Sequence, residues 1–252
     1  LGRQGINLDN QRFIGTVDWR QNDQTFDSVV FNYSGIDKAN FAYGYIGNVN
    51  RIFGDDHPLG DLDSTSHFAN ASYKFTDALK LTGYGYIFDF DRLPTRSSQT
   101  YGLRATGKTP INENWAFNYE AEIARQSDYG NNSAHYDETY YHLAPSITGH
   151  GFNFGVGYEV LGGDGTNAFQ TPLATLHKFN GWADKFLDTP ARGLEDAYVS
   201  ASYKISDVHH ALNGTTVTVV YHDFKGDQSG DFGSELDASV GKSFELPKEL
   251  PF

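Results

Sequence analysis

Ala69-Asn70-Ala71-Ser72-Tyr73-Lys74-Phe75 is the stretch that decides the fold. Side chains reverse at every residue of an extended backbone, so Ala69, Ala71, Tyr73 and Phe75 share one side and Asn70, Ser72 and Lys74 the other. Residues 115–123 repeat the pattern, with Trp115, Phe117, Tyr119, Ala121 and Ile123 opposed to Ala116, Asn118, Glu120 and Glu122. Working outward, twelve such segments are expected at about 12–20, 25–34, 39–50, 67–76, 79–91, 100–108, 115–126, 139–148, 152–161, 196–206, 214–224 and 235–244. Each has one greasy face and one wet face. A transmembrane antiparallel meander β-barrel is written this way. A soluble β-sandwich, such as a carbohydrate-binding module, is written similarly and is the alternative.

Connection lengths favour the meander. Phe75-Thr76-Asp77-Ala78-Leu79 and Thr148-Gly149-His150-Gly151-Phe152 read as tight turns, and 34–38 and 108–114 as slightly longer ones. Between them lie longer excursions at 51–66, 92–99, 127–138 and 162–195. Short turns at one end and long loops at the other is the layout of an outer-membrane barrel. Aromatic residues near strand ends, Trp19, Tyr84, Tyr86, Tyr140, Tyr141, Tyr158, Tyr203 and Tyr221, are expected to form its interfacial girdle. The facing of 25–33 is ambiguous, and Pro145 should disturb its ladder because it lacks an N–H.

Composition is compatible with this reading. The 252 residues include 27 Gly, 16 Tyr and 19 Phe. Mean hydropathy is negative, but a barrel turns half of every strand toward water, so the average carries little information. No run approaches the length of an apolar spanning helix. There is no cysteine, which excludes disulfides and thiolate metal sites. The net charge of −13 argues against nucleic acid as a partner, since phosphate neutralisation needs clustered Lys and Arg. The opening Leu1-Gly2-Arg3 has no apolar signal segment, so either a targeting peptide has been removed or the chain begins inside a longer protein.

The wet face is unusually charged. Alternation assigns to it Arg20, Lys74, Arg104, Lys108, Glu120, Glu122, Glu159 and Lys204 as lumen candidates, with Asp18, His222 and Asp237 beside them. Both signs are present, which suits a water-filled passage. Catalysis finds no support: no Gly-x-Ser-x-Gly elbow occurs. His209, His210 and His222 make a poor metal cluster, because adjacent strand residues face opposite ways. No cofactor is expected, although Asp55, Asp56, Asp61, Asp63 and Asp164 are oxygen-rich calcium candidates that lack the spacing of an EF-hand.

The longest loop, 162–195, contains apolar residues at Leu176, Phe179, Trp182, Ala183 and Phe186, a helical spacing over 174–187. Such a loop could enter the lumen as a constriction, cap the mouth or pack against a neighbour. The constriction reading puts Phe179, Trp182, Asp184, Lys185 and Phe186 nearest the solute path.

Four stretches together resemble a known family. Arg3-Gln4-Gly5-Ile6-Asn7-Leu8-Asp9-Asn10-Gln11-Arg12-Phe13-Ile14-Gly15 leads into Asp18-Trp19-Arg20-Gln21-Asn22 and Gln24-Thr25-Phe26-Asp27. Asn48-Val49-Asn50-Arg51-Ile52-Phe53-Gly54 and Ala124-Arg125-Gln126-Ser127-Asp128-Tyr129 follow. The longest runs from Tyr158-Glu159-Val160-Leu161-Gly162-Gly163-Asp164-Gly165 through Phe169-Gln170-Thr171-Pro172-Leu173-Ala174-Thr175-Leu176-His177 to Gly181-Trp182-Ala183-Asp184-Lys185-Phe186. In order and spacing these resemble the alginate export family of Gram-negative outer-membrane β-barrel proteins. The resemblance implies a bacterial outer-membrane channel of about eighteen strands, so the twelve here would be an incomplete set within one barrel domain. The prolines in 244–252 depart from a closing strand, although Phe252 resembles the terminal aromatic of such barrels. The cargo does not carry over, because a polyuronate needs a strongly electropositive lumen and the candidates here are mixed. The expected function is therefore passive passage of small hydrophilic solutes or oligosaccharides, in a setting of outer-membrane lipid and lipopolysaccharide. A structural or adhesion barrel without transport is the other alternative, and the oligomeric state is left open.

Overall fold

The computed structural model describes residues 1–54, 56–206 and 212–243. They form one twelve-stranded sheet in which each strand pairs with its sequence neighbours. The strands are β1 (Gly2–Gln4), β2 (Thr25–Tyr33), β3 (Ala39–Asn50), β4 (Asp61–Thr76), β5 (Leu79–Phe88), β6 (Ser98–Pro110), β7 (Trp115–Asp128), β8 (Asp137–Gly149), β9 (Phe152–Leu161), β10 (Leu194–Lys204), β11 (Thr215–Lys225) and β12 (Asp231–Lys242). Every pairing is antiparallel. A single meander replaces the two packed sheets of a sandwich, so the soluble alternative is set aside. No helix among the described residues is long and apolar enough to cross a membrane, which says nothing of a β-barrel.

The expected alternation sets the register. In β4, Ala69, Ala71 and Tyr73 pair with Gly85, Gly83 and Leu81 on the outward face, while Asn70 and Ser72 lie opposite Tyr84 and Thr82 on the inward one. The 25–33 ambiguity resolves with Phe26, Ser28 and Val30 inward and Val29, Phe31 and Tyr33 outward. Pro145 pairs with Tyr119 on one side, but the β8–β9 ladder skips from Leu143 to Ser146 on the other, where the missing N–H would have been needed. His150 and Gly151, both at positive φ, close the β8–β9 hairpin in the turn geometry that matches strand twist.

The outward face is apolar and open. Leu103, Leu143, Val156, Val199 and Val219 lie mid-strand and exposed, and Leu236 and Val240 on β12 are 70% and 73% exposed. Tyr45, Tyr101, Tyr141, Tyr158 and Tyr221 border this band toward the long loops, and Tyr33, Phe75, Phe117 and Phe152 toward the turns. Outward charges cluster at the long-loop end, as in the pairs Arg3–Asp27 at 2.8 Å and Arg125–Asp137 at 2.5 Å.

Four expected girdle residues lie elsewhere. Tyr84, Tyr86 and Tyr140 turn inward and are buried, because their even-numbered positions fall on the face of Thr82 and His142. Trp19 is not on a strand at all. The expected strand at 12–20 is instead part of an irregular 5–24 segment between β1 and β2, broken by positive φ at Asp9, Gln11 and Val17.

Candidate functional site

Two connections leave the long-loop end and fold onto the inward face. The 5–24 segment reaches four strands: Asp9 accepts from Asn70 of β4 (2.7 Å), Asn10 donates to Glu120 of β7 (2.7 Å), and Phe13 packs on Tyr84 and Tyr86 of β5 and Tyr140 of β8. Arg12 extends the reach to Glu159 of β9 at 2.8 Å. One short segment can touch so many successive strands only if the sheet curls around it, which makes the inward face concave. The second connection, 162–193, docks beside the first through the parallel bridge Ile14–Leu173 and the bond from Gly15 N–H to the Leu173 carbonyl (2.9 Å). Ile14, Phe169 and Leu173 are fully buried between them. Burial of each such side chain contributes roughly 1.5–3 kcal/mol, so this is a packed core inside the curl.

Around that core lies a charged wall. Arg104 donates to Glu120 at 2.5 Å and stands 3.9 Å from Glu122, which also accepts from the Tyr84 hydroxyl at 2.6 Å. His142 bridges Glu120 (3.4 Å) and the Tyr198 hydroxyl (2.9 Å). Glu159 receives the Tyr140 hydroxyl (2.8 Å) and the Asn180 amide (2.6 Å) in addition to Arg12. Farther along, His222 contacts Asp196 at 2.8 Å and Asp237 at 3.8 Å. The Tyr198 ring lies over Gly157, its cross-strand partner, where a Cβ would fall 2.0 Å from the ring. Buried charges of both signs persist because each has a partner or donors.

Alternation thus put Arg104, Glu120, Glu122 and Glu159 on the concave wall, but in paired networks beneath inserted chain. Lys74, Lys108 and Lys204 lie on the same face near the turns, where they are exposed. Arg20 is a correction: it belongs to the irregular segment, stacks over Trp19 (4.1 Å) and faces Asp184 at 3.6 Å. Asp18 shares that irregular segment and so has no strand facing.

The 174–187 helix is also corrected. Only Leu176–Lys178 forms one 3-10 turn, after which Asn180, Gly181 and Asp184 adopt positive φ. Asn-Gly is a turn signal that outweighs the apolar spacing. Of the expected constriction residues, Phe179 lies under the Arg12 guanidinium (4.6 Å) and the Trp182 N–H donates to Asp237 (3.3 Å). Asp184 engages His177 (2.9 Å), Lys185 is exposed, and Phe186 packs on Phe224 and Phe232. Arg12, Phe13, Asn10 and Asn180 were missed. The clustered Gly5, Asn7, Asp9, Asn10 and Gly15 would have argued for a folded loop there.

At the long-loop end a cavity of about 340 Å³ opens between the two inserted segments and the 51–60 connection. Arg20, Arg51, Arg96 and the stacked Trp19–His177 pair line it, with Asp184 and Asp188 paired to Arg20 (3.6 Å) and Arg96 (2.8 Å). Of the calcium candidates, Asp61 and Asp63 each face Arg92 at 3.5 Å. Asp164 caps its own loop: the backbone N–H groups of Asn167 and Thr166 donate to it at 2.7 Å and hold its carboxyl below the usual range. Asp56 is exposed; Asp55, His209, His210 and 244–252 lie outside the described residues. Among the described residues no group of three or more His, Asp or Glu is arranged to hold a metal ion.

No family model and no curated protein matches the sequence. Solved structures do match. OccAB2 of Acinetobacter baumannii aligns over 96% of this chain with a TM-score of 0.74 at 17% identity. OpdL of Pseudomonas aeruginosa aligns over 94% with a TM-score of 0.72 at 16% identity, and the outer membrane protein OprD of the same organism over 90% with 0.66 at 16%. The chain spans 62%, 65% and 56% of those three proteins. What it shares with them is the fold: an antiparallel meander of the outer-membrane barrel type.

Proposed function

We propose that the chain is the greater part of a bacterial outer-membrane channel through which small hydrophilic solutes pass passively. The observation that carries this reading is the division of the sheet into an exposed apolar face and a polar concave one that holds charged side chains of β6, β7, β9, β10 and β12. Between its aromatic borders the outward band contains no Asp, Glu, Lys or Arg among the described residues. Exposed over so many adjacent strands, such a surface is stable against lipid and a liability in water. The concave wall, lined with both charge signs, supplies the polar passage. The two inserted segments narrow it, and the cavity at the long-loop end forms its vestibule.

The setting is outer-membrane lipid, with lipopolysaccharide against the charged long-loop rim. No cofactor enters this reading, and the role is transport rather than catalysis. Kinship with the alginate export family is supported by the quoted stretches, since two of them supply most of the inserted 5–24 and 162–193 segments. Mixed wall charge favours a broad range of small solutes over a polyuronate. Planar-bilayer recording on the protein in its complete barrel tests the reading: ohmic steps with modest ion preference are expected. A monodisperse folded monomer without detergent, or no conductance above background, overturns it.

A further inference from the structure

Arg12 is the most enclosed cation of the described chain, 2% exposed and fully surrounded by protein. Its guanidinium contacts three separate pieces of structure. Nε faces Glu159 on the β9 wall at 2.8 Å. The two terminal nitrogens reach Asn180 Oδ1 (3.0 Å) and Thr171 Oγ1 (3.4 Å), both on the 162–193 loop. Its planar face rests on Phe179 of that loop, 4.6 Å from the ring centre, with Tyr140 of β8 at 5.9 Å. Asn180 completes the arrangement by donating to Glu159 at 2.6 Å and Asp196 at 3.2 Å.

We propose that Arg12 is the positioning residue that locks both inserted segments to the barrel wall and so fixes the bore; this rests on the channel reading. Phe13 also touches wall and loop, on Tyr84, Tyr86, Tyr140 and Phe169, but only by ring packing, whereas Arg12 ties the segment, the loop and the wall together through an ion pair and hydrogen bonds at one point. A guanidinium suits the task because its planar fork serves several acceptors at once while its face packs on an aromatic ring. Without it, Glu159 is a buried carboxylate lacking its cation. Hydrating that group requires water between the wall and the inserted segments. The lock therefore releases as a unit.

The chain has no cysteine, so single thiols report accessibility cleanly. Ile14→Cys on the 5–24 segment and Leu173→Cys on the loop place a thiol at two fully buried positions. In otherwise unchanged protein both should resist a water-soluble maleimide, and in the Arg12→Leu background both should label. Single-channel conductance should rise at least about two-fold with Arg12→Leu, and Glu159→Gln combined with it should add little, as coupled partners require. If Arg12→Leu fails to show the heat-modifiable gel shift of a folded barrel, Asn180→Ala carries the same test without leaving a bare charge. Protected thiols with unchanged conductance in a folded variant overturn the lock. Thiol labelling does not depend on current flow, so absent conductance in the unchanged protein would refute the channel reading while the lock was still decided by labelling.

Discussion

The two ends of the concave wall are built from the same strands by the same alternation, yet they differ in what covers them. Toward the turns, Lys74, Lys108 and Lys204 are exposed, and Lys74 pairs with Asp77 of its own hairpin. Toward the long loops, Arg104, Glu122 and Glu159 are buried under the inserted segments and hydrogen-bonded to Glu120, Tyr84 and Tyr140 respectively. Strand register determines which face a side chain occupies. Covering chain determines whether its charge meets water, and with that whether it contributes to stability or to the field in the passage.

Removing the cover should erase the difference. Deletion of residues 168–190 takes away Phe169, Leu173, Phe179 and Asn180 and should raise single-channel conductance several-fold while the barrel still forms. Unchanged conductance would place the loop outside the solute path. Next in size is Arg104→Leu, which leaves Glu120 and Glu122 without their cation. It should cost about 3–5 kcal/mol, the usual penalty for breaking a buried pair, read as a lower urea midpoint in detergent.

A comparison across the sheet sharpens the point. Leu143 and Ala144 are adjacent on β8, the first exposed on the outward band and the second beside Glu120 on the wall. Leu143→Arg should destabilise the lipid-inserted barrel by about 2–4 kcal/mol, and Ala144→Arg by much less, because only the former faces hydrocarbon. Equal effects would mean that the outward face is not lipid-facing. The joint change of Lys74, Lys108 and Lys204 to Gln should leave the unfolding midpoint within about 0.5 kcal/mol, as exposed charges do, yet move reversal potentials toward cation preference. A large loss of stability would contradict their exposure. The smallest effect belongs to calcium: Asp61 and Asp63 already face Arg92, so millimolar additions should leave loop protection and melting temperature essentially unchanged. A clear rise would instead assign the ion to the acidic outer loops.

The stretches with strict alternation were legible residue by residue. The 69–75 and 115–123 patterns have the faces expected of them, and the paired short turns and long loops fall at opposite ends. Reading faltered where aromatic content stood in for position. Tyr84 and Tyr86 looked like girdle residues, but their parity with Thr82 sends them inward onto Phe13. It faltered again at 12–20 and 174–187, where apolar residues at strand-like or helix-like spacing belong to irregular chain stabilised by distant partners.

The sequence by itself determined the strand order, the facing of most strands and the separation of an apolar from a charged surface. Each follows from a two-residue period and from local turn chemistry. Only the tertiary structure decided that the 5–24 and 162–193 segments fold into the curl and neutralise its wall. The bond from Arg12 to Asn180 joins residues 168 apart in the chain. No local period encodes such a contact; it exists because the curl of the sheet brings both segments to the same buried carboxylate, Glu159.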